Sequence, residues 1–216
     1  MRIEQNFINN EFVSSANLST ISVYNPTNEA HVPSTTSEEA INAVSIAAEA
    51  QKAWRILTSV ERAAHLHKLA DSLLKHKHLI GSVLAEESGK SLEDATNEAV
   101  YASDITRYHA EWARRIEGEI IPSDTPSENL LLQREPIGVV SCLIPFNYPV
   151  YTLLRKIAPA LITGNTVVVR PSNNTPCSAF AIAKAVQDAG LPKGVVNILT
   201  MDHATAEILC THSKVG

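Results

Sequence analysis

Apolar and polar residues alternate at two places near the amino terminus, Phe7 to Val13 and Ile21 to Tyr24, which predicts two short strands, the second ended by Asn25-Pro26. The period then lengthens. Thr36-Ser37-Glu38-Glu39 has the form of a capping box, and Ile41, Val44, Ala47 and Ala48 behind it predict a helix with one apolar face turned inward. Thr58-Ser59-Val60-Glu61 repeats the device. Leu66, Leu69, Leu73 and Leu74 then recur at helical spacing, and Ser88-Gly89 breaks the run that follows. A further helix is predicted from about Ser91 to Arg115, stopping near Gly118. The chain shows neither an internal repeat nor a low-complexity linker.

The pattern changes twice more. Ile120-Ile121 and Leu130-Leu131-Leu132, joined by the turn-rich Pro122 to Asn129, predict a hairpin standing off the main body, either a surface feature or an oligomer contact. From Gly138 the order becomes strand, helix, strand, helix, strand: Val139–Ile144, Pro149–Thr163 with Gly164 as its stop, Thr166–Val169, a helix capped by Thr175 with Pro176 in its first turn and ending at Gly190, and Val195–Leu199. Such units demand a parallel sheet with right-handed crossovers, and ligands in such sheets lie beyond the carboxyl ends of the strands. The expected architecture is α/β: a partial Rossmann-like parallel sheet with an N-terminal helical block (1–118), a protruding β-hairpin (119–136) and an incomplete βαβαβ unit (137–216). A sheet stopping at its third strand is expected to leave an uncovered edge, and with it marginal stability and self-association.

Composition narrows the classes. The 216 residues are 44% hydrophobic and 19% charged, as in an ordinary globular protein, with a net charge of −5. No basic stripe exists to track a phosphate backbone, so nucleic acid is not an expected partner. The longest apolar stretch, Ile157 to Val169, is interrupted by Pro159, Gly164 and Asn165 and is too short for a bilayer, and the polar start Met1 to Asn6 has no signal core. Cys142, Cys177 and Cys210 are an odd, widely spaced set, which points to thiols in a reducing compartment and a cytoplasmic protein.

Candidate chemistry gathers at two strand ends, Pro145-Phe146-Asn147-Tyr148-Pro149 and Arg170-Pro171-Ser172-Asn173. The first packs an amide, two aromatics and two prolines into one turn. The second places a cation and small polar groups where a nucleotide could lie. Both are also what an ordinary strand-to-helix turn looks like, since Pro and Asn favour turns. Elsewhere the readings are structural. Cys177 sits at a helix start, which lowers a thiol pKa, yet packing suits all three cysteines better. His65/His67 and His76/His78 are two apart, pointing to opposite helix faces, so surface histidines are expected and no metal site. Gly89-Lys90 is a helix stop, and Glu86-Glu87 a solvated or salt-bridged face.

Together these segments resemble the aldehyde dehydrogenase superfamily. Pro136-Ile137-Gly138-Val139-Val140 and Ile144-Pro145-Phe146-Asn147-Tyr148-Pro149 are similar to its proline, tryptophan, asparagine, phenylalanine, proline turn. The likeness continues through Lys156 to Leu161, Gly164 to Val168, Arg170 to Asn173, where the family has Lys-Pro-Ser-Glu, and Ala189 to Asn197. Phe7-Ile8-Asn9, Asn25-Pro26, Glu61-Arg62, Glu87 to Lys90, Ala110 to Arg115 and Glu117 to Glu119 extend it, the last two nearest the lactaldehyde/glycolaldehyde branch.

The resemblance implies an NAD(P)-dependent oxidoreductase: a cysteine thiolate attacks an aldehyde, hydride passes to the nicotinamide, and water releases the acid. It implies that Asn147 helps hold the substrate oxygen, that Ile144, Pro145 and Phe146 contact the coenzyme (NAD or NADP) near the nicotinamide, and that Arg170, Ser172 and Asn173 surround the adenosine ribose. Its nucleophilic cysteine and general-base glutamate match nothing up to position 216, the glycines usual after the third strand are absent from Leu199 to Ala206, and Arg170 and Asn173 replace lysine and glutamate. Two readings therefore stay open: a segment of an aldehyde-oxidising enzyme, inactive alone and with homo-oligomerisation as an option, or a non-catalytic remnant or protein-interaction fragment.

Overall fold

In a computed structural model, which describes residues 2–24 and 29–216, the run Phe7 to Val13 is a hairpin and not one strand. Asn25-Pro26, read as a strand end and as part of the resemblance, lies outside those residues. After β1 (Arg2–Ile3), β2 (Asn6–Ile8) and β3 (Glu11–Val13) pair antiparallel, Phe7 opposite Phe12, across a two-residue turn at Asn9 and Asn10. Both asparagines have positive φ (56° and 64°), the left-handed conformation a tight hairpin requires and asparagine tolerates. The adjacent asparagines break the period-2 alternation, and their turn chemistry is the local sign of the hairpin. A second small sheet forms from β1, β4 (Thr20–Tyr24) and β5 (Glu29–Pro33) in the order β1-β5-β4.

Both capping boxes are present. Thr36 caps α1 (Ser37–Trp54) and Thr58 caps α2 (Ser59–Ser88), each exchanging hydrogen bonds with the glutamate three residues on. The buried face of α1 is Ala40, Ala43, Val44, Ala47, Gln51 and Trp54, while Ile41 is exposed, so the apolar stripe is rotated by about one residue from the one expected. Small alanines let α1 lie close on the sheet, and Trp54 Nε1 donates to the Leu161 carbonyl at 3.0 Å. Gly89 ends α2 in the left-handed conformation (φ 73°) and turns the chain back into α3 (Leu92–Ala110), which tightens to a 3-10 turn over Glu111–Arg114. The two helices touch at Gly81, where a β-carbon would stand 2.4 Å from Thr96 Oγ1.

β6 (Glu119–Pro122) and β7 (Asn129–Leu132) form the predicted hairpin, every residue exposed and, among the described residues, each strand pairing only with the other. Then follow β8 (Val139–Leu143), α4 (Pro149–Ile162), β9 (Thr166–Arg170), α5 (Cys177–Asp188) and β10 (Val196–Ile198), with short α6 (His203–Ala206) and α7 (Ile208–Thr211) behind. β8, β9 and β10 are parallel, as predicted, in a sheet ordered β3-β2-β10-β9-β8. The expected uncovered edge at β10 does not exist: β2 pairs antiparallel with it, Ile198 opposite Phe7. On the far side, Val215 bridges Val139 of β8. Alternation along β9 divides the core. Val167 and Val169 join α2, α3, α4 and α5 on one face, and Val168 joins α1 on the other.

Candidate functional site

β8 and β9 end level with one another. Leu143 pairs with Arg170 and the Ile144 N–H donates to the Arg170 carbonyl at 3.0 Å, so the turns that follow emerge side by side at the carboxyl edge of the sheet. Ile144 is buried, Pro145 to Tyr148 are exposed, and Pro149 opens α4. Asn147 stands between two hollows. One, of about 580 Å³, is lined by Phe146 and Asn147 from the first turn, Asn173, Asn174 and Thr175 from the second, Glu87, Ser88 and Lys90 from the end of α2, and Ser22 to Tyr24 of β4. The other, of about 670 Å³, lies between α3 and α4 and is more aromatic, with Tyr101, Asp104, Ile105, Tyr108, Tyr148, Tyr151, Thr152 and Arg155 around Asn147. The structure thus brings Phe146, Asn147 and Asn173 to one hollow from segments 26 residues apart in sequence (173 − 147).

The second turn is arranged differently from expectation. Arg170 is buried, its Nη2 donating to the Met201 carbonyl at 3.2 Å and its Nε without a partner, and burial holds its guanidinium below the ordinary arginine range despite nearby Asp202. It does not present an open donor fork. Ser172 Oγ accepts from the Asn174 N–H at 3.2 Å, and Asn173 Oδ1 is buried without a partner. Where the family's glycines are missing, Asp202 caps α6 by accepting from the Thr205 N–H at 2.7 Å.

Three residues that sequence reasoning passed over hold these turns. Thr175 does not cap α5; its hydroxyl has no partner. The cap comes from Glu87, expected on a solvated face, whose carboxylate accepts from the Cys177 and Ser178 N–H groups at 2.6 and 3.0 Å. Burial raises its carboxyl from an ordinary 4.5 to about 7, against the opposing pull of those same N–H donors. Glu98, 1% exposed, does the same for α4, accepting from Val150 and Tyr151 at 2.8 and 3.1 Å. Lys90 is more than a helix stop, because its Nζ reaches both Glu98 (2.5 Å) and the Asn147 carbonyl (2.9 Å). One signal could have found both glutamates: each sits in the apolar stripe of its helix, Glu87 after Val83 and Leu84, Glu98 between Ala95 and Ala102.

With both crossover-helix starts closed by carboxylates, neither is open to an anionic ligand. Cys142 is buried, its thiol pushed up to about 12, Cys177 is also buried, Cys210 is exposed on α7, and none lines either hollow. His76 is partly buried in a hydrogen-bonding contact with Asp188 at 2.8 Å, and His65 packs on Trp54, so these two are not simple surface histidines. Among the described residues no cluster of three or more His, Cys, Asp or Glu is placed to hold a metal, and no helix is long and apolar enough to cross a membrane.

The profile described as "Aldehyde dehydrogenase family" matches residues 12–216. Lactaldehyde dehydrogenase of Escherichia coli (strain K12) is 41% identical over 196 residues, covering 89% of this chain and 41% of that protein. NADP-dependent glyceraldehyde-3-phosphate dehydrogenase of Streptococcus equinus is 40% identical over 204 residues, 91% of this chain and 42% of that protein. The crystal structure of lactaldehyde dehydrogenase from Escherichia coli superposes with a TM-score of 0.95 at 38% identity, covering 100% of this chain and 46% of that one. The chain therefore spans less than half the length of the relatives it matches.

Proposed function

Since the chain belongs to the aldehyde dehydrogenase family, we propose that it is the coenzyme-holding part of an NAD(P)-dependent enzyme oxidising an aldehyde to an acid. The observation that carries this is the level ending of β8 and β9, which puts Asn147 and Asn173 on one hollow at the sheet edge where open α/β folds take their ligands. The residues fit such a group in part. Ile144, Pro145 and Phe146 offer backbone and a ring, and Asn173, which lines the hollow, offers a neutral amide with hydrogen-bonding capacity for a ribose hydroxyl. The closed starts of α4 and α5 leave the phosphates to be held elsewhere, and Arg170, turned to Met201, contributes to the turn's shape more than to ligand contact.

Bound NAD(P) would supply a hydride acceptor. The chain's own contribution is Asn147, whose side-chain amide donates to the aldehyde oxygen as negative charge develops there, the kind of preorganised donor that supplies a large share of catalysis. No thiol lines the hollows around Asn147, so these 216 residues by themselves are expected to bind coenzyme without turning aldehyde over. The exposed β6–β7 hairpin is proposed as a contact between copies of the chain. The alternative of a non-catalytic remnant draws on the buried Arg170 and the missing glycines.

Asn173 is neutral where the family has a glutamate, so a 2′-phosphate meets no repulsion there. At ~5 Å and an effective dielectric near ~20, one negative charge opposes another by roughly 3 kcal/mol before screening. Calorimetric titration should show NADP bound at least as well as NAD, and Asn173→Glu should weaken NADP relative to NAD by about tenfold or more. A strong NAD preference that Asn173→Glu leaves unmoved would count against this site.

A further inference from the structure

We propose that Lys90 and Glu98 act as a positioning pair for Asn147, gripping the backbone from Asn147 to Tyr151 at both ends so that the Asn147 amide keeps one direction. The inference rests on the reading of Asn147 as the donor to the substrate oxygen. Asn147 has an orientation problem: it is exposed, lies in an irregular turn, and its side chain makes no hydrogen bond to the described residues. An amide with no partner of its own is aimed only as well as its backbone is held.

The turn's own residues hold it poorly. Tyr148 gives α4 no side-chain cap, and Pro149 has no N–H to give. The next two N–H groups, of Val150 and Tyr151, both go to Glu98 Oε1, at 2.8 and 3.1 Å. The other carboxylate oxygen takes Lys90 Nζ at 2.5 Å, and the same ammonium donates to the Asn147 carbonyl at 2.9 Å while lying 4.2 Å from the centre of the Tyr148 ring. These contacts close a ring: Asn147 carbonyl, Lys90, Glu98, and the amides three and four residues beyond Asn147. A buried carboxylate is tolerated only when paired and hydrogen-bonded, and Glu98 uses both oxygens for this turn. The pair also fixes where the turn is anchored. Glu98 stands on α3 and Lys90 follows the left-handed Gly89, so Asn147 takes its orientation from the close-packed α2–α3 block and not from the sheet edge alone.

The rival explanation is a buried ion pair that only stabilises packing, and the two readings part on what happens at Asn147. The test uses the isotope-labelled 216-residue chain without aldehyde or coenzyme, so it reports positioning whether or not Asn147 proves to be the substrate donor. In Lys90→Met the Asn147 side-chain amide signals should move and merge toward those of a mobile asparagine, while the Val150 and Tyr151 amides keep their slow exchange. Glu98→Gln, which retains an acceptor for those amides and releases the ammonium, should move Asn147 in the same way. Glu98→Leu should in addition speed exchange at Val150 and Tyr151 by about tenfold or more, and Lys90→Arg, which keeps a cationic donor, should leave Asn147 close to its original signals. Unchanged Asn147 signals in Lys90→Met together with a lower melting temperature would overturn the proposal in favour of packing alone. Should Lys90→Met not fold, Glu98→Gln decides by the same signals.

Discussion

Glu87 shows how one residue can be invisible in sequence and decisive in structure. Beside Glu86 it reads as half of an acidic helix face, yet its carboxylate closes the start of α5, some 90 residues away. Which glutamate of the two turns inward depends on helix phase, and what it meets there depends on the sheet bringing α5 alongside α2; only the first of these is written locally. Its raised pKa gives a signed prediction. With a folded value of about 7 against an ordinary 4.5, Glu87 favours the protonated folded chain. Its contribution to stability is full below the unfolded value and is lost as pH rises through the folded one. Glu87→Gln removes this titration. Between pH 4.5 and 7 the wild-type chain should lose about 3 kcal/mol relative to the variant, read from denaturant midpoints across that range. A difference that stays level with pH would show that the N–H donors cancel the effect of burial, and one that shifts in favour of the wild-type chain as pH rises would show that they outweigh it. Asn147 teaches the complementary lesson. Its place in a strand-end turn was legible, but its backbone supports, Lys90 and Glu98, carry no signature beyond a carboxylate on an apolar stripe.

At the scale of elements the local code was readable wherever the device is local. Two capping boxes, the Gly89 stop and the strand–helix alternation from Gly138 are each complete within a few residues, and each appears where the pattern placed it. The misreadings fall where long-range packing chooses. Phe7 to Val13 folds back on itself because β10 offers an edge that β2 can cover, and α1 turns Ala40 and Ala43 inward in preference to Ile41 because the sheet demands a close approach. The β6–β7 hairpin was legible as a hairpin, and its exposed pair Ile120 and Leu131, opposite each other and each 75% exposed, is what a partner surface would cover. Replacing both with an opposite-charge pair (Ile120→Lys with Leu131→Glu) should lower the sedimenting mass while changing stability by no more than about 0.5 kcal/mol, because both side chains are largely exposed and the charges face each other across the strands. An unchanged mass would remove the hairpin from any assembly.

At the scale of the whole molecule, a helical block is laid against one face of a parallel sheet, α1 against the other, and the turns that leave the sheet are fastened to the block. Fold class and the parallel pairing of β8, β9 and β10 were legible because alternating strands and helices admit few topologies. The antiparallel extension through β2 and β3 was not, since it joins residues 191 apart in the chain (198 − 7). On the proposed function, the carboxyl edge of β8 and β9 receives the coenzyme. Mapping amide-signal changes in the labelled chain as NAD or NADP is added tests it most directly. Changes should concentrate at Ile144, Phe146, Asn147 and Ser172 to Thr175, leaving the β6–β7 hairpin and the far end of α3 unmoved. Saturable binding whose changes fall elsewhere, or no change at those residues at any coenzyme concentration, would contradict it.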